Sequence, residues 1–277
     1  MQGKTFQSGI FAWFGYRLHM AQRARLIKDA GFDVVSLWWG EEEKANTGSL
    51  NDLPGIVRDS GLEIDNIHVP FEDCNSFWSE AEKDRQNILH KYFTWLNDCA
   101  THNIPKMVMH LTEGPNPPKP NESGIATIKH LVKAAEDRNV ILAVENTQCT
   151  QHLDFVFSRI DSPHLAFCYD SSHDFLWGIQ PGEILDKWAG RLATIHLSDN
   201  DGQEDRHWLP GTGIVNWQKI GLVFPIETYT GPFLLEVLPK QNGHKQSAEA
   251  YVAAAYESIC SISEILLGAG LQGTPNN

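Results

Sequence analysis

The chain has 277 residues and a formal charge of −13, with 42% apolar and 21% charged residues. This composition excludes a disordered chain. Acidity without any run of Lys or Arg argues against a protein built to track phosphate backbones, so a nucleic-acid partner is not expected.

The five cysteines, Cys74, Cys99, Cys149, Cys168 and Cys260, are odd in number and show no CxxC spacing. Free thiols in a reducing cytosol are expected rather than a disulfide framework. The opening MQGKTFQSGIF lacks the apolar core of a signal peptide, and no apolar stretch is expected to reach the ~18 residues of a membrane span. A cytoplasmic protein without a membrane partner is the expectation, and homo-oligomerisation is left open.

In chain order, apolar strand-like runs fall at 9–13, 34–39, 63–69, 107–111, 141–145, 165–169, 193–197 and 233–237. They are continuous rather than alternating, as parallel strands covered on both faces are. Helical periodicity lies between them. The segment 20–30 stops at Gly31, a favoured helix-ending residue. The segment 81–102 gathers Ile88, Leu89, Tyr92, Phe93 and Leu96 on one side, 121–138 follows a Pro-rich loop, and 247–267 is rich in Ala, Ile and Leu. The tail beyond Gly268 is expected to fray. Alternating strand and helix predicts a parallel sheet. Eight such units predict closure into a (β/α)₈ TIM barrel over residues 1–277 as one α/β domain. No GxGxxG follows the first strand, so dinucleotide binding gains no support.

The predicted strands share a feature at one end. The third to the eighth deliver His68, His110, Glu145, Asp170, His196 and Glu236 in turn, and His173 follows Asp170 by three residues. Active sites of barrels are assembled at that end. A single histidine there is more often a hydrogen-bonded core residue than a ligand. A carboxylate inside an apolar run is harder to dismiss, because a buried charge needs a cation or strong donors. Convergence of all six points to a divalent metal, with the histidines leaning towards Zn²⁺ or Mn²⁺ over Mg²⁺. After the seventh strand, Asp205 and His207 are alternate residues that would face one side of an extended loop, and they are assigned as further ligands. His90, His102 and His130 on helices, and His19, His152, His164 and His244 in loops or helix starts, receive no role. Asp65 is read as an outward strand residue.

At these residues the chain resembles the xylose-isomerase-like superfamily, which joins sugar isomerases and epimerases with the type-two apurinic/apyrimidinic endonucleases. The resemblance rests on Asp170-Ser-Ser-His173, on the stretch from His196 through Asp205-Arg-His207 to Gly211-Thr-Gly213, and on Leu235-Glu236. For an isomerase or epimerase it implies one ion held by Glu145, Asp170, His196 and Glu236, with His173 and Arg206 on substrate oxygens. For an endonuclease-like enzyme it implies a cluster of three ions held by these four together with His68, His110, His173, Asp205 and His207.

Two activities follow. The first is a metal-dependent sugar, sugar-phosphate or sugar-acid isomerase or epimerase working through an enediolate, with Glu145 and Glu236 as its proton-transferring residues and a small carbohydrate as its substrate. The alternative is a multinuclear-metal phosphoesterase. A metal-holding binding module without activity is the least supported, since no core ligand is missing. The segment PGTGIVNW resembles the isomerase members more closely. The aromatic residues Trp13, Phe14, Trp38, Trp39, Phe71 and Trp177 crowd the strand ends and would either wall a sugar pocket or pack in the core.

Overall fold

The computed structural model describes residues 6–40, 49–240 and 246–270. His244 and the tail beyond 270 therefore lie outside the described residues. Eight parallel strands form one sheet: β1 (Ser8–Phe11), β2 (Val34–Trp38), β3 (Glu63–His68), β4 (Lys106–Met109), β5 (Ile141–Glu145), β6 (Leu165–Asp170), β7 (Leu192–His196) and β8 (Phe233–Leu235). Their spatial order follows the chain, with β8 beside β1. The ring closes where Leu197 pairs with Leu235, through Leu197 N–H donating to Leu234 O at 2.9 Å and Glu236 N–H donating to Leu197 O at 3.2 Å. This is the expected TIM barrel.

The helices that follow the strands are α1 (Met20–Ala30), α2 (Leu53–Asp59), α3 (Glu82–Thr101), α4 (Glu122–Glu136), α5 (Thr150–Phe157), α6 (Ser171–Trp177), α7 (Glu183–Trp188), α8 (Trp217–Val223) and α9 (Ala248–Gly270). Local chemistry sets several ends. Gly31 at φ 110° stops α1, and its N–H caps Ile27 O and Lys28 O. The Asn121 side chain accepts from Gly124 N–H at 2.8 Å to start α4.

Strand periodicity sorts each strand into two faces. Outward residues such as Ile67, Met107, Met109, Leu142, Val144, Phe167, Tyr169 and Ile195 join the large core beneath the helices. Inward residues fill the lumen in layers. At the floor, Lys106 donates to Asp65 at 2.6 Å, and Asp65 also accepts from Thr194 and Asn66, both at 2.9 Å. Above lies a small apolar layer of Val108, Ala143 and Cys168. Two residues further along those strands, the lumen becomes polar again. Asp65 is thus buried inside, not outward as expected. A register shift at Val35/Ser36 in the β2–β3 pairing breaks the simple alternation there.

One expectation from composition needs correction. The stretch Ala248–Gly268 of α9 is long and apolar enough to cross a membrane. It packs against α1, α8, β1 and β8. Tyr251, Val252, Ala255, Ile259, Ile262 and Leu266 are buried, while Glu249, Glu257 and Glu264 stay exposed, the pattern of a helix covering a barrel. All five cysteines are free, as expected.

Candidate active site

The polar top layer of the lumen gathers the strand-end residues. Glu145 ends β5, is 2% exposed, and sits at the centre. Its Oε2 lies 3.0 Å from His68 Nε2 and 2.9 Å from His110 Nε2, and its Oε1 lies 3.0 Å from His196 Nδ1. Glu236, one residue beyond β8, meets the same His196 Nδ1 at 2.7 Å. Asp170 ends β6 and caps α6, accepting from His173 N–H at 2.7 Å through Oδ1. Its other oxygen, Oδ2, is buried and has no hydrogen-bond partner among the described residues.

Three groups of ligand atoms each lie within 4.8 Å: Glu145, Asp170, His196 and Glu236; His68, His110 and Glu145; and His173, Asp205 and His207. All nine residues singled out as metal ligands in the sequence therefore converge, and Glu145 belongs to two of the groups. Cys168 forms a further group with Glu145 and His196. The strand spacing explains its place: Cys168 is one pleat below Asp170 and pairs in register with Glu145.

The histidines are aimed by their second nitrogens. Those of His68, His173 and His207 face backbone carbonyls: Nδ1–H donates to Val69 O at 3.0 Å, to Asn146 O at 2.9 Å and to Glu236 O at 3.2 Å. Each Nε2 is thereby turned towards the carboxylates, the arrangement that orients a metal-binding imidazole. His110 Nδ1 lacks such a carbonyl and stands 3.8 Å from Glu113 Oε2.

The loop after β7 supplies Asp205 and His207 by a route the sequence did not show. Asp199 and Trp208 exchange two backbone hydrogen bonds of 2.8 Å and pinch the base of the loop. His207 adopts a left-handed φ of 49° rather than an extended one. Its Nε2 still lies 3.0 Å from Asp205 Oδ2, which also meets His173 Nε2 at 3.0 Å. Asp205 Oδ1 accepts from Ser172 Oγ at 2.8 Å. Arg206 turns away from this cluster. It pairs with Asp201 at 3.2 Å and with Glu204 at 2.6 Å in its own loop.

The charges of the two regions differ. Despite opposing desolvation by burial, Asp205 is held well below the usual carboxylate range by His173 and His207, and the His207 imidazole is pushed up to about 9 chiefly by Asp205. In that triad the one carboxylate has two imidazole partners. Glu236 is likewise held down to about 2, against burial, by His196. Asp170 behaves oppositely: burial first, then the neighbouring Glu145, Asp205 and Glu236, drive its carboxyl up to about 7 against the pull of His173. The pocket of Glu145, Asp170, His196 and Glu236 is therefore short of positive charge. A buried carboxylate oxygen without a donor, beside two more carboxylates and an imidazole, fits a divalent cation.

The aromatic residues divide. Phe71 stacks on His110 with centroids 4.4 Å apart, Trp177 lies 4.9 Å from His173, and Trp38 lies 5.7 Å from His68. Phe14 and Trp39 are buried in the core, with Trp39 Nε1–H donating to Asp98 at 2.8 Å. Trp13 is half-buried beside Arg23. A cavity of about 180 Å³ opens beside the cluster, lined by Phe71, His110, Thr112, Glu113, Gly114, Thr147, Gln148, His173, Trp177 and Asp205.

Several organising residues were not found by sequence reasoning. Asn146 accepts from Asp170 N–H at 2.8 Å and donates to Asp170 O at 2.9 Å, fixing β5 against β6 at the site. Buried Asp199 accepts from Val215 N–H and Gly211 N–H at 2.9 Å and from Trp217 Nε1–H at 3.2 Å, folding the Gly-rich segment over the β7 loop. In the sequence Asp199 stands among the acids Asp201, Glu204 and Asp205, and nothing distinguishes it from them.

Residues 24–254 match the family described as xylose isomerase-like TIM barrel, and the chain belongs to that family. An uncharacterised protein, y4fM of Sinorhizobium fredii (strain NBRC 101917 / NGR234), is 24% identical over 85% of this chain and 88% of its own. Among solved structures, an L-ribulose 3-epimerase superposes with a TM-score of 0.75 at 16% identity, over 99% of this chain and all of its own. A xylose isomerase-like TIM barrel/4-hydroxyphenylpyruvate dioxygenase fusion protein superposes with a TM-score of 0.80 at 17% identity, over 99% of this chain. This chain spans 45% of that fusion protein's length.

Proposed function

We propose that the protein is a divalent-metal-dependent isomerase or epimerase of a small sugar or sugar derivative. The observation that carries this reading is the charge-deficient pocket of Glu145, Asp170, His196 and Glu236, in which Asp170 Oδ2 has no donor. These four residues would hold one ion, with Zn²⁺ or Mn²⁺ suiting the mixed oxygen and nitrogen donors. A divalent ion there supplies Lewis-acid polarisation of a carbonyl and its neighbouring hydroxyl.

The side chains do the rest. Glu145 and Glu236 both face His196 Nδ1, so they border one small space and are placed to take a proton from carbon and to return one. Glu236, with its side chain 19% exposed against 1% for Glu145, is the more accessible base. His196 in its charged form makes Glu236 a poor base; a neutral His196 acting as ligand relieves that. His173 and Arg206 would contact substrate oxygens, which requires His173 to share Asp205 and Arg206 to release Glu204. The structural likeness to an L-ribulose 3-epimerase and the family itself support this chemistry.

A test is exchange of carbon-bound hydrogen of a converted ketose with solvent deuterium. Glu236→Gln should slow exchange by about 10²-fold or more, the scale of a lost general base. Undiminished exchange would remove Glu236 from the reaction.

A second reading, a multinuclear phosphoesterase, is favoured by the two outer triads, His68, His110 and Glu145, and His173, Asp205 and His207. It differs in charge. One ion leaves the three carboxylates of Glu145, Asp170 and Glu236 in excess, which suits a neutral substrate. Three ions reverse that sign and suit a phosphate. The Asp205 carboxylate, which already has two imidazole partners, favours the first.

A further inference from the structure

We infer that the end of the substrate remote from the reacting carbons is uncharged, a hydroxylated carbon chain rather than a phosphate or carboxylate, and that Glu113 enforces this choice. The inference rests on the sugar isomerase or epimerase reading and narrows it.

The cavity beside the cluster is where that end would lie. It is bounded by the rings of Phe71 and Trp177, with Thr112, Thr147 and Gln148 as neutral hydrogen-bonding groups. Stacked or facing rings suit the C–H faces of a polyol, and hydroxyl and amide groups suit its oxygens. No Lys or Arg of the described residues lines it. The imidazoles that border it, His110 and His173, already face Glu145 and Asp205 at 2.9 and 3.0 Å. Arg206 is not among the residues that line this cavity. An anion entering here would lose its hydration without gaining a charged donor.

Glu113 adds active repulsion. Its backbone is clamped from both sides by one side chain: Glu113 N–H donates to Asn75 Oδ1 at 3.0 Å, and Asn75 Nδ2–H donates to Glu113 O at 2.9 Å. The carboxylate is thus held at the rim, with its side chain 46% exposed. Asp205, the other acid of the cavity, has both oxygens occupied by Ser172, His173 and His207. The Glu113 carboxylate has His110 Nδ1 as its neighbour at 3.8 Å and is otherwise open to the cavity rim. Its remaining lone pairs can accept from a sugar hydroxyl, and its charge repels a like charge.

The test is calorimetric titration of the Mn²⁺-loaded protein with D-fructose, D-psicose and L-ribulose, each against its terminal phosphate, with turnover followed in parallel. Wild type should bind and convert the neutral member of a pair in preference. Glu113→Gln should narrow the preference by roughly tenfold, as removal of one screened like charge at close range would. Glu113→Lys should narrow it further or reverse it. Preference for the phosphates in wild type overturns the inference, as does a ratio unchanged in both variants. Selective binding of the neutral sugars without conversion of any of them supports the inference while contradicting the isomerase or epimerase reading. No binding of either member overturns both.

Discussion

Asp170 carries the least compensated charge in the lumen, and its titration has a consequence for stability. Its carboxyl is raised by burial from 3.8 to about 7, so the stability tied to its neutral form is present below pH 3.8 and lost as pH rises towards 7. His207 has the same sign: raised from 6.5 to about 9, it contributes stability below pH 6.5 that is lost as pH climbs through 9. Glu236 is the opposite case, lowered from 4.5 to about 2, and its contribution is lost only as pH falls through 2. The chelator-treated protein should therefore lose thermal stability steadily between about pH 4 and 9. Asp170→Asn, which keeps the cap on His173 N–H, should flatten the lower part of that slope. Unfolding midpoints measured across this range check the prediction, and a midpoint rising towards pH 7 would contradict it.

The residues that converge at the lumen mouth were legible in the sequence because an apolar strand that ends in His, Asp or Glu has few other reasons to do so. Asn146, Asp199 and Glu113 were not. Their roles depend on contacts between neighbouring loops, and a single Asn or Asp after a strand looks like ordinary turn chemistry. Asp65 was misplaced because it is the extra residue of β3 at the β2–β3 register shift, between Ile64 and Asn66, and strict alternation does not show a bulge.

At the scale of elements, the long helices and all eight strands were readable, with ends displaced by one or a few residues. α2, α5, α6, α7 and α8 were missed because they run six to eight residues, too short for an amphipathic repeat to emerge. The β7 loop is the element on which the site depends most. Gly213 lies where an added Cβ would come within 2.3 Å of both Asn200 O and Asp199 Oδ1. Gly213→Ala should displace Asp199 from its donors Gly211, Val215 and Trp217 and shift Asp205 and His207 with it. The expected cost is about 1–3 kcal/mol in unfolding free energy for the orphaned buried group, with turnover falling by a larger factor than stability alone explains. Denaturant unfolding and steady-state rates, measured side by side, separate the two effects. Retention of both would show that the loop tolerates the extra carbon and that Asp199 does not position the ligands.

For the whole molecule, the barrel concentrates charge of one sign in a narrow lumen. The apolar mass lies outside the strands, beneath the helices, so the lumen is free to carry Lys106 and Asp65 at its floor and the carboxylate–histidine layer at its mouth. An acidic chain of net charge −13 around such a mouth attracts cations and disfavours anions at long range. This agrees with a divalent ion as cofactor and a neutral sugar as substrate, and it makes the number of bound ions decisive.

The most direct measurement is metal content per chain by elemental analysis of protein purified without chelator or a metal-affinity column, for wild type and Asp170→Asn. The account predicts about one equivalent of Zn²⁺ or Mn²⁺ in wild type, largely lost in the variant. No bound ion, or content unaffected by Asp170→Asn, would contradict the central pocket as a metal site. Three equivalents would show that the outer triads are filled as well and would contradict the single-ion sugar enzyme in favour of phosphoester chemistry.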